Sequence, residues 1–453
     1  MSTRYIIIGG DAAGMSAASR IKRNDKDAEV IVYERDAHIS YAACGMPYWL
    51  GGIVGSDKDL QILTPKIAKE KRGIDVRTHH EVVAIEAAQR HVTVHDLKKG
   101  ELEDVSFDHL IIATGASAIR PHIPGVLSDG VFTLRTLGEG QKIFKFMEEN
   151  GPQRVAIVGA GYIGLEMAEA LRAKNLDVHL IEMAPHIMPN YSPDMVEEVT
   201  AHLKEHGVSI YLESKLKAIK EQKNGLKLDI EGATTGLIVD MVILATGVKP
   251  NSEMAKEAGL KMGKSGAIWT NNRLKTNVDR IWAAGDCAEL EHRVLGEGVW
   301  MPLAPSANKT GRIAGDNASG GHTIFPGILG TNVVKVFDYT MASTGITEEM
   351  VEESEKFPHV TSVVISENDR AGYYPGAEPI KIKLVLDKRE KKILGAQMVG
   401  KAGVAKRIDV LATAISAGMT ADDLAMLDLA YAPPYSPVYD PVNVAGSVAG
   451  KVK

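Results

Sequence analysis

RYIIIGGDAAG at residues 4–14 and RVAIVGAGYIG at residues 154–164 are one pattern written twice. Each is a short apolar run, a glycine-rich turn and the start of an Ala-rich helical stretch. Each is followed by a second apolar run that ends in an acid, EVIVYE at Glu34 and DVHLIE at Glu182. Each unit closes on a matching strand and turn, DHLIIATGA around Thr114 and VDMVILATGV around Thr246. Unbroken Ile/Val/Leu runs are what parallel strands buried on both faces look like. Turn glycines let main chain approach a pyrophosphate, and the N-terminus of the following helix favours its negative charge. An acid about 20 residues further on suits a ribose 2′-hydroxyl. A lone glycine fingerprint is weak, but two copies with every part present predict an α/β chain with two Rossmann-like dinucleotide-binding domains.

Working outward, RIWAAGDC (280–287) reads as one more strand, ending at Asp286 in position to meet a ribityl hydroxyl. The expected order is an FAD-binding domain of residues 1–118 and 250–327, interrupted by an NAD(P)H-binding domain of residues 119–249. From residue 328 to 453 the texture changes to alternating runs, TNVVKVFDYTMAS and IKIKLVLD, with a helix near 403–418. This predicts a C-terminal α+β domain. Its segment YAPPYSPVYDPV (431–442) suits neither regular helix nor central strand.

Bulk properties narrow the function. The net charge of −6 over 453 residues argues against nucleic acid or an anionic membrane as partner. The apolar runs are strand-sized, and the start MSTRYIIIGG has no secretory h-region. Only Cys44 and Cys287 occur, too few for a disulfide framework, which fits a reducing, cytoplasmic setting. No metal-ligand motif stands out.

The order of units, with an early cysteine in SYAACGMPYWLGG (40–52) and a late GDC strand, resembles the pyridine nucleotide-disulfide oxidoreductase family over essentially the whole chain. The dithiol members carry a second cysteine five positions after the first; here that position is Trp49, so the resemblance is to the single-cysteine branch. That branch includes coenzyme A-disulfide reductase, NADH oxidase and NADH peroxidase. The resemblance implies a homodimer whose C-terminal domains contribute to each other's active sites. Without an internal partner, Cys44 must cycle through a mixed disulfide, a persulfide or a sulfenic acid. A position leading into a helix is expected to favour its thiolate, whereas Cys287 is read as structural. The oxidase and peroxidase carry a histidine where this first loop has Ala12, which turns the expectation towards thiols. Coenzyme A-disulfide reductases carry asparagine before the cysteine; Ala43 stands here and leaves the sulfur substrate open.

The resemblance also assigns site residues. Gly9, Ala13, Gly14, Glu34, Arg35, Val82, Thr114, Gly115, Asp286 and Ala304 are expected around FAD. Gly159, Gly161, Tyr162, Gly164, Glu166, Glu182 and Gly247 are expected around the nicotinamide dinucleotide. Glu182 is followed by no arginine for a 2′-phosphate, so NADH is expected over NADPH. Ser16, Arg20 and Arg23 share a helix face expected to meet coenzyme A, with Ser40 and Arg72 as further candidates. Tyr431, with Tyr373 or its neighbour Tyr374, is expected to assist a leaving thiolate. The leading expectation is an NADH-dependent reductase of a coenzyme A disulfide or persulfide. Polysulfide or sulfur reduction, NADH oxidation, and electron transfer or redox sensing with a protein partner are the alternatives.

Overall fold

A computed structural model describes residues 2–232, 236–352 and 356–452. The first sheet is all parallel. Arg4–Ile8 lies at its centre, between Glu29–Glu34 and His109–Ile112, with Asp75–Thr78 and Ile281–Ala283 outermost. The strand read from RIWAAGDC therefore does return to the first sheet. The second sheet repeats the order around Arg154–Val158, flanked by Asp177–Ile181 and Met241–Leu244, with Val208–Tyr211 and Val131–Thr133 outermost. One edge differs in origin: the first unit takes its last strand from far downstream, the second from the segment just before it. Each unit also carries a three-stranded antiparallel meander, residues 80–106 and 215–239. The two connections between units run side by side, Ala116–Ala118 against Val248–Pro250.

The helices Ala12–Asn24 and Ala304–Ala318 cross closely. A Cβ on Gly311 or Gly315 would overlap the main chain of Ala13 or Ala17, so glycine is what permits the crossing. The crossing brings the long second helix alongside the helix that follows the first glycine loop.

The C-terminal sheet is antiparallel, in the order Asn332–Val336, Tyr339–Gly345, Ile393–Gly400, Pro379–Asp387, Val360–Asn368. Alternation along these strands separates two faces. Ala342, Ile382 and Met398 face the helices Val404–Ala417 and Pro441–Gly450. Val334, Met341 and Val399 are cross-strand partners on the other face and join the core of the second dinucleotide unit. The Pro/Tyr-rich segment is irregular up to Asp440, but Pro441 opens a helix instead of continuing the loop. Proline suits a first helical position, and the Asp440 side chain accepts the Val442 N–H at 2.9 Å. Among the described residues no helix is long and apolar enough to cross a membrane.

Candidate active site

The two glycine loops are built alike to the level of single hydrogen bonds. Gly9 and Gly159 adopt φ of 104° and 107°, and a Cβ on either would run into the carbonyl of Ala113 or Ala245. Gly14 and Gly164 pack against Gly9 and Gly159 in the same way. Glu34 accepts the N–H of Gly10 at 2.7 Å and of Asp36 at 2.8 Å; Glu182 accepts those of Ala160 at 2.7 Å and Ala184 at 2.8 Å. Each acid, expected at a ribose hydroxyl, here fastens its own glycine loop. The loops differ where the sequences do. Gly161 has open space where a Cβ would be, whereas Asp11 accepts the Tyr41 N–H at 3.3 Å. The closing turns are open too: Gly115, at φ 69°, has nothing within 4 Å, and Gly247, at φ 93°, only Ile119 at 3.8 Å.

Cys44 lies in one 3-10 turn, Ala43–Gly45, leading into the short helix Met46–Leu50. Met46, Pro47, Trp49 and Leu50 are buried, and Trp49 stacks on Phe144 at 5.1 Å between ring centres. Gly140 and Gly51 allow this helix to sit against Leu137–Asn150 and Tyr162–Ala173. The cysteine belongs to the first unit in sequence, but the second unit's helices hold it in place. Its side chain is exposed, while Cys287 is fully buried and donates to the carbonyls of Ile112 and Ala284 at 3.4 Å.

The expected thiolate stabilisation is corrected by the surroundings. Cys44 is open to solvent, yet enough protein surrounds it that desolvation pushes the thiol up; Glu166 adds to this, Arg135 opposes it, and Asp286 and Asp11 raise it further. A five-residue helix offers little dipole against three carboxylates. Glu166, expected beside the nicotinamide, is pushed up to about 7 by burial and by Glu169, with Tyr48 partly offsetting. Tyr48, one helical turn past Cys44, is raised by burial and by Glu166. A test follows from these signs. Above about 7 Glu166 is anionic and opposes the Cys44 thiolate. Glu166→Gln therefore shifts the pH midpoint of Cys44 alkylation in prereduced enzyme downward, and Arg135→Gln shifts it upward. Shifts in the opposite directions would contradict the assignment.

Arg135 is the main residue that sequence reasoning missed. Its guanidinium pairs with Asp286 at 2.7 Å, so in this structure the acid expected at a ribityl hydroxyl is met by arginine. Trp300 donates to the Asp286 carbonyl at 2.7 Å and fixes its turn. Tyr48 had a usable signal, four residues after the cysteine; Arg135, 91 positions on from Cys44, had none. Tyr162 donates to Asn332 of the C-terminal domain at 2.7 Å, and burial raises its phenol to about 12. The Ala13 side chain is buried against Gly285 and Gly311, and Val82 is buried in the core shared with the meander. Any ligand contact from these two must therefore be through main chain. Arg35 is exposed and 3.9 Å from Glu81, Thr114 donates to the Asn251 carbonyl at 2.6 Å, and Ala304 begins its helix exposed.

The face expected for coenzyme A is more engaged than its sequence suggested. Ser16 donates to Asn308 at 2.9 Å, and Arg20 pairs with Asp316 at 2.7 Å. Burial works against the Asp316 anion, but hydrogen bonds from Thr323, Asn24 and Arg20 hold it down to about 2. Arg72 donates to Ser19 at 2.9 Å, Ser40 holds a left-handed φ of 45°, and Arg23 is exposed. The Arg20 charge is thus neutralised by Asp316, whereas Arg23 and Arg72 are exposed, Arg72 being held by the neutral Ser19 hydroxyl.

Tyr373 and Tyr431 are brought together from distant loops. Ala371 donates to Pro433 at 3.2 Å, and buried Arg407 donates to the carbonyls of Asp369 and Tyr435 while pairing with Asp440 at 2.9 Å. Tyr373 is hydrogen-bonded to Tyr431, and this raises its phenol. Tyr373, Tyr374, Tyr431, Tyr435, Tyr439 and Met426 are all exposed on this domain.

Over residues 3–311 the sequence matches the family described as pyridine nucleotide-disulphide oxidoreductase, and over residues 331–441 that family's dimerisation domain. The chain belongs to this family. An NAD(P)H sulfur oxidoreductase (CoA-dependent) of Pyrococcus furiosus is 40% identical over 434 residues, 95% of this chain and 96% of that protein. A coenzyme A disulfide reductase of Staphylococcus haemolyticus is 35% identical over 437 residues, 95% of this chain and 96% of that protein. The solved structure of an NAD-dependent persulfide reductase from A. fulgidus matches with a TM-score of 0.95 at 41% identity, covering 99% of this chain and 83% of that one. As a pyridine nucleotide-disulphide oxidoreductase the chain uses FAD and a nicotinamide dinucleotide, and the residues present fit both. The open sides of Gly115 and Gly161 are cradles that a Cβ would fill, and the helix Ala304–Ala318 begins exposed, its N-terminus favouring an anionic group.

Proposed function

We propose that this enzyme uses NADH to reduce a coenzyme A disulfide or persulfide through FAD and the single redox thiol Cys44. The observation that carries the reading is an exposed cysteine with no second thiol beside it, in the field of Glu166, Arg135, Asp286 and Asp11, with Tyr48 one turn along its helix. FAD, when bound, relays the two electrons of NADH from the nicotinamide side to the sulfur side. Residues 1–118 with 250–327 would hold it, and residues 119–249 the nicotinamide. Gly9, Gly14, Glu34, Thr114, Gly115 and Asp286 supply the first cradle, with Ala13, Arg35, Val82 and Ala304 at its rim. Gly159, Gly161, Gly164, Glu182 and Gly247 supply the second, with Tyr162 and Glu166 near the nicotinamide.

The Cys44 thiolate attacks one sulfur of the disulfide, forming a Cys44–S–S–R bond and breaking the substrate S–S bond. The leaving thiolate takes a proton. Two electrons then cleave the Cys44 disulfide, releasing a second thiolate and restoring the Cys44 thiolate. Arg135 is the counter-charge that favours the sulfur anion, against desolvation and the carboxylates of Glu166, Asp286 and Asp11. With a persulfide R–S–SH, attack gives the same mixed disulfide and releases hydrosulfide.

In the proposed homodimer, built by residues 328–453, Tyr431 and Tyr373 face the other chain's Cys44. Tyr373 and Tyr431 are hydrogen-bonded to each other, and a phenol of this pair supplies the proton to the leaving thiolate. Tyr431→Phe is expected to lower disulfide turnover by about 10²-fold, and Tyr373→Phe less, with NADH-to-dye transfer unchanged. Equal loss of both activities would remove the tyrosine from this role. Ser16, Arg20, Arg23, Ser40 and Arg72 would line the approach of coenzyme A, Arg23 and Arg72 carrying most of the phosphate attraction.

Polysulfide or sulfur reduction is the second reading. It is favoured by the names of the sulfur oxidoreductase and persulfide reductase relatives, and by Ala43 before the cysteine. Ala12 in the first loop disfavours oxygen as acceptor. Two thiols and no disulfide among the described residues suit a reducing cytoplasm. Steady-state rates with NADH and coenzyme A disulfide, coenzyme A persulfide, polysulfide and oxygen test the proposal. The coenzyme A substrates should lead; oxygen leading would overturn it.

A further inference from the structure

We propose that His202, His206 and Asp338 form a site for one divalent transition-metal ion, of the zinc, cobalt or nickel class, that clasps the nicotinamide unit to the C-terminal domain. His202 lies on the helix Glu197–Glu205 of the second unit, and His206 caps it. At i and i+4 their rings project from one face, with centroids 4.2 Å apart. The turn between Asn332–Val336 and Tyr339–Gly345 of the C-terminal sheet carries Asp338 to the same point. One ligand atom from each of the three residues lies within 4.8 Å of the others, and His202 Nε2 is 3.5 Å from the Asp338 carboxylate.

The hydrogen bonding prepares both imidazoles as ligands. His206 Nδ1 lies 3.0 Å from the His202 carbonyl, which can only accept, so the proton sits on Nδ1 and the Nε2 lone pair is free. His202 Nδ1 faces the Glu205 carboxylate at 3.4 Å, which likewise puts the proton on Nδ1; its Nε2 lone pair accepts the Asp338 N–H in a long bond of 3.5 Å, which an ion would displace. A metal-binding imidazole ordinarily has its other N–H held by a carboxylate or a carbonyl in this manner. Ring planes are fixed as well: Phe337 stacks on His206 at 4.1 Å, and Tyr339 meets His202 edge-on at 5.0 Å. Two imidazoles and one carboxylate select zinc-like ions over calcium or magnesium. Coordination bonds of about 2.0–2.2 Å require the ligand atoms to draw closer than they stand here. The Asp338 side chain, 69% exposed, is free to make that movement. A bound ion would reinforce a contact between two parts of the chain that is otherwise made by packed rings and by the Asp338–His202 hydrogen bond.

The test uses FAD-loaded, metal-stripped protein carrying Cys44→Ser, which removes the other zinc-binding thiolate candidate. Titration with Co²⁺, read by its visible absorption and by displacement with Zn²⁺, should show a single ion per chain. His206→Gln, at a half-buried position, and Asp338→Asn, at an exposed one, should each weaken binding by about tenfold or more. Saturating Zn²⁺ should raise the thermal midpoint of the parent and not of Asp338→Asn, whose exposed side chain leaves the metal-free midpoint close to the parent's. No bound ion, or an ion bound equally well by parent and both variants, would overturn the proposal.

Discussion

Replacing Cys44 with serine is expected to abolish turnover of coenzyme A disulfide, by on the order of 10³-fold or more in kcat, while NADH-to-dye transfer survives. The split follows from where Cys44 sits. Its helix Met46–Leu50 is anchored by buried Met46, Trp49 and Leu50, none of which the substitution touches. The two glycine loops, Glu34 and Glu182 are equally untouched, so both dinucleotide cradles persist. Only the sulfur is lost, and a hydroxyl neither attacks a disulfide at neutral pH nor stores a sulfur–sulfur bond. Cys287 cannot substitute, being fully buried. Disulfide turnover that persisted in the serine variant would favour electron transfer to a protein carrier, which needs no thiol. Loss of dye reduction as well would mean that Cys44 holds the fold together.

Nucleotide choice should show the second large effect. Glu182 follows directly on the strand Asp177–Ile181 of the second unit; the residue is 6% exposed, its carboxylate held by the N–H groups of Ala160 and Ala184. A 2′-phosphate brought to that acid adds like charge, which costs several kcal/mol. The expected preference in kcat/KM for NADH over NADPH is therefore on the order of 10²-fold. Glu182→Gln keeps an acceptor for the loop but removes the charge, and should shrink the preference to within about tenfold. Adding Met183→Arg, at an exposed neighbour, should turn it towards NADPH. A higher kcat/KM for NADPH in the unmodified enzyme would reverse this account.

The repeated fold was legible because each repeat writes its strands as unbroken apolar runs and its turns as glycines. The paired hydrogen bonds of Glu34 and Glu182 show that the repetition reaches the side chains. The meanders were not legible. A strand such as Glu101–Ser106 is almost wholly exposed and rich in acids, so no apolar period marks it. Val131–Thr133 is only three residues long and is a strand because Met241–Leu244 lies beside it. The helix from Pro441 was hidden by the prolines before it.

The site divides in the same way. Cys44, Glu166 and the glycines carry signatures within a few residues of themselves. The electrostatics around the sulfur do not. Arg135, Asp286 and Asp11 come from three separate segments, and only the folded chain brings them to Cys44. The raised thiol and the Arg135–Asp286 pair are tertiary facts. So is the occupation of Arg20 by Asp316, since a basic helix face and a face already neutralised by a neighbouring helix read identically in sequence.

The central claim is that one thiol, Cys44, carries the substrate's sulfur between two half-reactions. Intact-mass measurement under non-reducing conditions tests it most directly: prereduced enzyme is mixed with coenzyme A disulfide in the absence of NADH. The account predicts one coenzyme A adduct per chain, mapped to the peptide containing Cys44, with one thiol released on forming it and another when NADH is added. An enzyme that turns over coenzyme A disulfide with no adduct on Cys44 would contradict it.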